Sequence, residues 1–498
     1  MGSLKKIVIL CLFTACFFSC KIEDKLETKT NIYKEFLNKL QQKGITTGNI
    51  LVYKKGEVVF KNSSGLRSIN PKDSLTLDSQ FRLASVSKQF TGMAIMKLKE
   101  SGKLDYDQKV NTILPEFPYK EITVRHLLHH TSGLTDYERL IDQNWKPEDS
   151  TKRYILGNDE IIKEMYRVNP ELDFKTGEKW EYSNTGYLFL ASIVEKLSGQ
   201  HFSEFLKEQI LDPLKMNNTI LYKYQEAADV NMPNRVFGYR KALNQKDLQL
   251  NDYNIVNDVR GDGGIYSTLE DLMKWNIALS NHTIIPKKYL DEAFTPGKLN
   301  NGEETNYGFG WFIESKTKPR VVFHSGGWVG FGTYLYNEVD AENGFIVLTN
   351  NSNNNFRDIV IGFANINRNE AYKIPKFKGE TVLAEKILNE NIDKGIAYYH
   401  EIKKDTLTYE VKESNINQLG YQLLQNGNLE ESLRIFKLNI DEYPNSANVY
   451  DSYGDALLEK GDSIQALTNF KKCYAMDNTL DYAKDKADKL EEQLNKNK

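Results

Sequence analysis

Ser85 and Lys88 stand three residues apart in the stretch FRLASVSKQFTGMAIMKLKE, residues 81–100. Three residues is just under one helical turn, so both side chains share a helix face. A hydroxyl at the start of a helix sits in a positive partial field, which favours a developing alkoxide by about 0.3–1 kcal/mol. A neighbouring ammonium stabilises that alkoxide further, and a deprotonated amine can take the proton. This is the physical logic of an S-x-x-K nucleophile. The pattern occurs three times, at Ser3/Lys6, Ser85/Lys88 and Ser315/Lys318. The first falls in an apolar leader and the last in the polar turn SKTKPR. Only Ser85 opens an amphipathic helix, with Phe90, Met93, Ala94 and Leu98 at core spacing. An ordinary helix start beside an incidental lysine is the bland alternative for the motif alone, and the residues downstream decide it.

Three further stretches carry chemistry. In FKTGEKWEYSN, residues 174–184, Tyr182 and Asn184 straddle Ser183, so an extended loop points both the same way. A phenol, with an ordinary pKa of about 10, serves as a base only beside a cation such as Lys88. Asn184 can hold Lys88 through its carbonyl and a substrate amide through its nitrogen. In RVVFHSGGWVGFG, residues 320–332, His324 ends an apolar strand. Ser325, Gly326 and Gly327 after it let a substrate backbone pair closely with the strand edge. Backbone N–H groups here and at Ser85 can form an oxyanion hole, worth about 2.7–4 kcal/mol per donor. In HLLHHTSGL, residues 126–134, His126, His129 and His130 fall at helical spacing that superficially suggests a metal. No carboxylate is placed as in H-E-x-x-H, so these histidines are expected to pack under the site, with no metal bound.

Composition narrows the function classes. The chain of 498 residues has room for more than one domain, and its 40% hydrophobic and 27% charged residues are ordinary for a soluble globular protein. A net charge of −3 without a basic stripe argues against nucleic acid as a partner. Lys5 and Lys6 precede the apolar run IVILCLFTACFFS, too short to span a bilayer but of signal-peptide length. Ser19 before Cys20 resembles the end of a bacterial lipobox, although Phe17 stands where leucine is usual. Residues 1–19 therefore read as a lipoprotein-type signal peptide, Cys20 as the lipidated residue and residues 20–28 as a tether. The expected location is extracytoplasmic, held to a bacterial membrane by lipid alone. The myristoylation pattern fails at Lys6. Cys11 and Cys16 leave with the leader and Cys473 stands alone, so no disulfide framework forms.

The elements that must position these residues follow in order. A helix is predicted over 31–42, then a hairpin around Lys54–Gly56 in GNILVYKKGEVVFKNSSGLR, read as alternating apolar and polar. Helices are predicted near 159–168, 186–198, 202–211 and 268–280, strands within 307–350, and a closing helix near 356–366. Strands at both ends with helices between predict one α+β domain over 29–368, its sheet assembled from N- and C-terminal pieces. A linker at 369–378 leads to a helical region over 379–498. There Gly420 maps to Gly454, Gly427 to Gly461, Leu433 to Leu467 and Phe436 to Phe470, a period of 34. The period resembles tetratricopeptide repeats, with a degenerate copy at 379–412 and a capping helix from about 480. A charged helical hairpin with no binding role is the alternative; the repeat reading implies a possible protein partner.

SVSK, YSN and HSGG in this order closely resemble the serine beta-lactamase-related family. HLLHHTSGL and GGIYSTLEDLMKW between them, and PLKM near Leu214, strengthen the likeness. The family comprises class C beta-lactamases, D-alanyl-D-alanine carboxypeptidases, D-amino-acid peptidases and esterases, and the resemblance covers about residues 30–368. It implies a beta-lactamase/transpeptidase-like domain: an antiparallel sheet flanked by helices, plus a helical region. It also implies that Ser85 is the acylated nucleophile and that Lys88 and Tyr182 share the general-base work. Asn184 would contact substrate and Lys88. His324, Ser325 and Gly326 would line the substrate strand, with the Gly327 N–H completing the oxyanion hole. No cofactor is implied. Class C enzymes carry K-T-G where this chain has His324-Ser325-Gly326, and the S-D-N of class A is absent. The literal KTG at Lys175–Gly177 belongs to the loop entering YSN and is a decoy. Unless His324 is protonated, its substitution for lysine removes a fixed cation for a substrate carboxylate. That leaves ester or peptide chemistry on a less anionic substrate. The expected function is an exported serine hydrolase working through a Ser85 acyl-enzyme on an ester, amide or peptide. The rival is a non-catalytic protein that binds peptidoglycan or peptide and recruits partners through the repeats. Specificity is expected from segments 136–181 and 215–262, with Tyr239 and Trp328 as candidate pocket residues.

Overall fold

Lys55 and Gly56 both take positive φ (50° and 74°), the pairing that a two-residue hairpin turn needs to match strand twist. The turn joins β1 (Gly48–Lys54) to β2 (Glu57–Ser64) in a computed structural model of the chain. The structure describes residues 29–45, 48–223, 232–244, 247–351 and 355–496; the leader, Cys20 and the tether lie outside these. Four strands from far along the sequence complete the sheet: β3 (Phe312–Glu314), β4 (Val321–Trp328), β5 (Phe331–Glu338) and β6 (Asn343–Thr349). Their order is β3-β4-β5-β6-β1-β2, every pairing antiparallel. Leu51 of β1 stands opposite Ile346 of β6, so the two ends of the chain segment close one sheet.

The sheet is covered on both faces, which explains why β1 is buried almost throughout instead of alternating as the sequence suggested. Ile50, Val52, Phe345 and Val347 face a thin layer made by helix α1 (residues 29–42) and a closing helix, Phe356–Arg368. Tyr33 and Phe36 of the first meet Phe363 of the second there, with ring centroids 5.6 and 5.5 Å apart. Leu51, Tyr53, Ile346 and Leu348 face the larger core. Through that core runs α2 (Lys88–Glu100), buried from Lys88 through Met96 and again at Leu98. Its first nine residues are buried on every side, polar ones included, the position of a central helix and not of the surface stripe expected from sequence. Its polar side chains are satisfied internally: Gln89 accepts from Trp275 at 2.8 Å, and Thr91 donates to the Gly261 carbonyl at 2.6 Å. Helix α3 (Asn184–Ser198) packs against α2.

The chain divides into two compact units, the first reaching Ile374 and the second comprising Lys241–Gln249 with Pro375–Lys498. The second is mainly helical, with one short parallel pair of strands, Phe377–Lys378 beside Tyr409–Glu410. Its helices are Gly379–Asn389, Ile392–Ile402, Glu413–Gln425, Leu429–Glu442, Ala447–Glu459, Ser463–Met476 and Asp481–Lys496. A β-carbon on Gly420 would lie 2.5 Å from the Phe436 ring, and one on Gly454 would lie 2.6 Å from the Phe470 ring. The same close approach thus recurs one repeat later, each aromatic filling the space its glycine leaves. Leu243 of the short inserted segment packs into this unit's own core beside Leu383 and Ile416. Among the described residues no helix is long and apolar enough to cross a membrane.

Candidate active site

The two-residue strand Phe81–Arg82 pairs with Ile265–Ser267, and the Leu83 N–H donates to the Ile265 carbonyl at 2.7 Å. Ala84 then turns at φ 48°, a left-handed conformation rare and strained for a residue with a β-carbon. The chain makes one 3-10 turn, Ala84–Ser87, before α2 begins at Lys88. Ser85 sits in that turn, one step earlier than the first α-helical turn where the sequence placed it. It is partly exposed while its neighbours are buried. β4 holds the turn from the other side: a β-carbon on Gly326 would run into the Leu83 carbonyl and the Thr333 hydroxyl, and would lie 3.1 Å from the Ser85 nitrogen. Thr333 of β5 donates to the same Leu83 carbonyl at 2.7 Å.

Lys88 is fully buried, and its Nζ makes three contacts: the Ser85 Oγ at 3.1 Å, the Asn184 Oδ1 at 2.8 Å and the Asp262 backbone carbonyl at 3.0 Å. Two of these partners are pure acceptors, so they take two N–H groups in either protonation state. At the third contact an ammonium donates to Ser85, whereas a free amine accepts the Ser85 proton. The same nitrogen lies 4.9 Å from the Tyr182 ring centroid and 5.6 Å from that of Tyr187, within cation–π range. The Tyr182 hydroxyl is buried and has no hydrogen-bond partner among the described residues.

Asn184 begins α3 and does not lie in an extended loop as the sequence suggested. Its N–H donates to Asp136 Oδ2 at 3.2 Å, and its Nδ2 donates to Glu138 Oε1 at 3.0 Å. The nitrogen expected to meet substrate is therefore already engaged within the protein. Asp136 also caps the helix Tyr137–Asn144, and the Tyr137 hydroxyl donates to Asp262 Oδ2 at 2.7 Å. Asp262 thus holds Lys88 with its carbonyl and Tyr137 with its carboxylate. Burial, reinforced by Asp136 and Asp262, pushes the Glu138 carboxyl up to about 7. Burial also raises Asp262, with the Lys88 charge opposing. Sequence reasoning passed over Asp136, Tyr137, Glu138 and Asp262, although TDYE directly follows the HLLHHTSGL stretch and GD directly precedes GGIYST.

His324 departs most from expectation. Along β4, His324 and Gly326 are buried while Ser325 and Gly327 are exposed, the alternation of a strand. The imidazole Nδ1 lies 2.6 Å from the Ser325 carbonyl and Nε2 lies 2.9 Å from the Tyr307 hydroxyl. A carbonyl only accepts, so Nδ1 carries the proton and Nε2 accepts from Tyr307. Burial, then the nearby Lys88 charge, lower this histidine to about 3. It is neutral at physiological pH and supplies no cation for a substrate carboxylate. The other histidines are structural in their contacts. The helix carrying His126 stops at Leu128, and His126 closes a capping box with Thr123. His129 Nδ1 meets the Tyr307 carbonyl at 3.0 Å. His130 accepts from the Ser183 N–H at 3.1 Å and so fixes the loop between Tyr182 and Asn184. Burial, then Lys88, push His130 well below its ordinary value. Among the described residues no group of three or more His, Cys, Asp or Glu converges as a metal site.

Ser85, Asn184, Glu138, Gly327 and Trp328 line one narrow cleft together with Arg82. Glu138 and Val256 also border a wider adjoining groove, walled by Trp145, Tyr154, Tyr253 and Ile255. Both candidate specificity segments contribute to it. Tyr239 does not line the cleft: it is buried, and its hydroxyl accepts from the Ile69 N–H at 3.0 Å. None of Lys175, Thr176 and Gly177 lines the cleft; Gly177 donates to the Thr131 carbonyl at 2.8 Å in a turn.

A family model described as beta-lactamase matches residues 31–365. The chain is 37% identical over 319 residues to Penicillin-binding protein 4* of Bacillus subtilis, covering 62% of this chain and 69% of that one. Among solved structures it is similar to the octameric penicillin-binding protein homologue from Pyrococcus abyssi. The TM-score there is 0.57 at 27% identity, over 68% of this chain and 77% of the other. A class C beta-lactamase shares the fold, with a TM-score of 0.55 at 19% identity over 70% and 98% of the two chains.

Proposed function

The chain belongs to the beta-lactamase family, and from that premise we propose that it is an exported, lipid-anchored serine hydrolase that forms an acyl-enzyme at Ser85. The substrate class is an ester, amide or peptide. One observation carries the reading: the buried Lys88 nitrogen, anchored by Asn184 and Asp262, turns its third contact onto the partly exposed Ser85 Oγ at 3.1 Å. In the first step the Ser85 oxygen attacks a carbonyl while its proton passes to the Lys88–Tyr182 pair. The Tyr182 ring lies 4.9 Å from the Lys88 nitrogen, and its buried hydroxyl, which has no hydrogen-bond partner among the described residues, is the second member of that pair. Backbone N–H groups of Ser85 and Gly327 hold the tetrahedral oxyanion. The leaving group takes the proton back, and water hydrolyses the ester by the same route. The neutral His324 argues against a substrate anchored by its carboxylate at that position, and so against efficient beta-lactam turnover.

The name of the Bacillus relative supports including penicillin among the trial ligands. Intact-protein mass after a fluorophosphonate probe, and separately after a beta-lactam, tests the proposal on wild type and Ser85→Ala. A single fluorophosphonate adduct on wild type and none on Ser85→Ala is the expected result. No adduct on folded wild type would instead favour a non-catalytic binding protein.

A further inference from the structure

Tyr137 opens the helix Tyr137–Asn144, and its buried hydroxyl donates to Asp262 Oδ2 at 2.7 Å. Asp262 lies in the loop 261–264, between Gly261 at φ 102° and Gly264 at φ 90°. Thr91 clasps that loop to α2 through the Gly261 carbonyl, and the Asp262 carbonyl accepts from Lys88 at 3.0 Å. The carboxylate of the same residue makes no ion pair with Lys88 among the described residues, although the Lys88 charge reaches it and opposes the effect of its burial. An ammonium binds a carboxylate more strongly than a neutral hydroxyl, and the more so where water is excluded. Left to itself, the buried Asp262 carboxylate would therefore compete with the Ser85 Oγ for Lys88. The Tyr137 hydroxyl occupies it instead. Burial, then the Asp262 charge, hold this phenol well above its ordinary value, so it stays a proton donor. Its backbone is fixed too: the Tyr137 N–H donates to the Thr185 hydroxyl at 2.8 Å, and that hydroxyl donates to the Thr135 carbonyl at 2.8 Å. Thr185 follows Asn184 in α3, so Tyr137 is tied to the turn that holds Lys88 from its other side. The flanking Asp136 and Glu138 carboxylates both accept from Asn184, at 3.2 and 3.0 Å. A second cation near Asp262, Arg82, donates to the Asn257 carbonyl at 3.0 Å and lies 5.3 Å from the Trp328 ring.

We propose that Tyr137 is a positioning residue that holds the Asp262 carboxylate away from Lys88 and so keeps the lysine nitrogen on Ser85. The inference rests on the Ser85 acyl-enzyme reading. Tyr137 touches no reacting atom and acts only through Asp262. Without its hydroxyl the carboxylate is a buried acceptor that has lost its donor, and turning onto Lys88 is the nearest remedy. Lys88 then exchanges a hydroxyl for a carboxylate, and the Ser85 proton loses its path.

The test is the rate of fluorophosphonate labelling, read by intact-protein mass, in wild type, Tyr137→Phe and Tyr137→Phe combined with Asp262→Asn. Urea titration shows that each variant is folded. Tyr137→Phe keeps the ring and its packing and removes only the hydroxyl, and it should slow labelling at least tenfold. Asp262→Asn keeps the backbone carbonyl and the side-chain shape but removes the competing charge. Added to Tyr137→Phe, it should raise labelling at least fivefold above the single variant, a rescue that a merely structural role for the hydroxyl does not give. Labelling of Tyr137→Phe near the wild-type rate, or a double variant as slow as Tyr137→Phe, would overturn the proposal. The crystal structure of Tyr137→Phe reads the same exchange without chemistry. Lys88 Nζ should lie within hydrogen-bond distance of the Asp262 carboxylate and no longer of the Ser85 Oγ. A Lys88 still placed on Ser85 there would also overturn the proposal. Wild type that takes no label would instead remove the acyl-enzyme reading, while the crystal structure still decides where Lys88 goes, so the two fail in different measurements.

Discussion

His324 couples the stability of the first unit to pH with a worked sign. In the folded chain the imidazole is neutral, with a pKa of about 3 set by burial and then by Lys88. Unfolded, it returns to about 6.5. Between those values the unfolded chain binds the extra proton, so stability falls as pH drops from above 6.5 towards 3. For this one group the loss between pH 7.5 and pH 5.0 is about 2 kcal/mol, growing to about 4 kcal/mol near pH 3. His129, lowered to about 4 by burial, adds a loss of the same sign, and the raised Glu138 works against both. The wild-type total is therefore not diagnostic, but a difference is. His324→Gln removes the titration and keeps a similar volume, and its intrinsic cost cancels when each protein is compared with itself at two pH values. Urea unfolding followed by tryptophan fluorescence is suitable, because all five tryptophans (145, 180, 275, 311 and 328) lie in the first unit. The variant should lose about 2 kcal/mol less than wild type between pH 7.5 and pH 5.0. Equal losses in the two proteins would mean that His324 titrates normally in the folded state, and the buried neutral assignment would fall.

Two further outcomes follow from the same contacts. Lys88→Ala should slow fluorophosphonate labelling of Ser85 by about 10²–10⁴-fold, the usual range for a lost proton-transfer group. Lys88→Arg should not restore it, since a planar fork cannot satisfy three convergent acceptors; a labelling rate near wild type in either variant would refute the role given to Lys88. Gly326→Ala should destabilise the first unit by about 1–3 kcal/mol in urea titrations, because the added methyl meets the Leu83 carbonyl. Gly327→Ala, whose methyl meets nothing within 4 Å, should leave that stability unchanged. Similar stability losses for the two alanines would contradict the close approach of β4 to the Ser85 turn.

Much of the site was legible because its residues are spaced by local geometry. Ser85 and Lys88 are one helical turn apart, and a short-range rule suffices to bring them together. Tyr182 and Asn184 follow from a family likeness, and both come to Lys88 in the structure. Asp262 and Glu138 escaped although each adjoins a stretch already singled out, because their own contacts depend on distant partners. Asp262 reaches Lys88 through a backbone carbonyl, which every residue possesses, and Glu138 matters only once α3 sets Asn184 beside it. His324 misled for a related reason. Its residue type permits a charge, and only its depth beneath the exposed Ser325 and Gly327 shows that the charge is suppressed.

By itself the sequence determined the order of elements, the two-part organisation and the pairing of hydroxyl with amine, since each depends on periodicity or on spacing within a turn. The period of 34 likewise fixed where glycine must face phenylalanine, because a repeated helix pair repeats its contacts. The tertiary structure decided the rest. It closed β1 onto β6 across nearly 300 residues, buried α2 on all sides, left Ala84 in the left-handed turn that exposes Ser85, and set the protonation of His324 and Glu138. Those outcomes depend on dehydration and on charges brought together from distant segments, and neither quantity exists until the chain has folded.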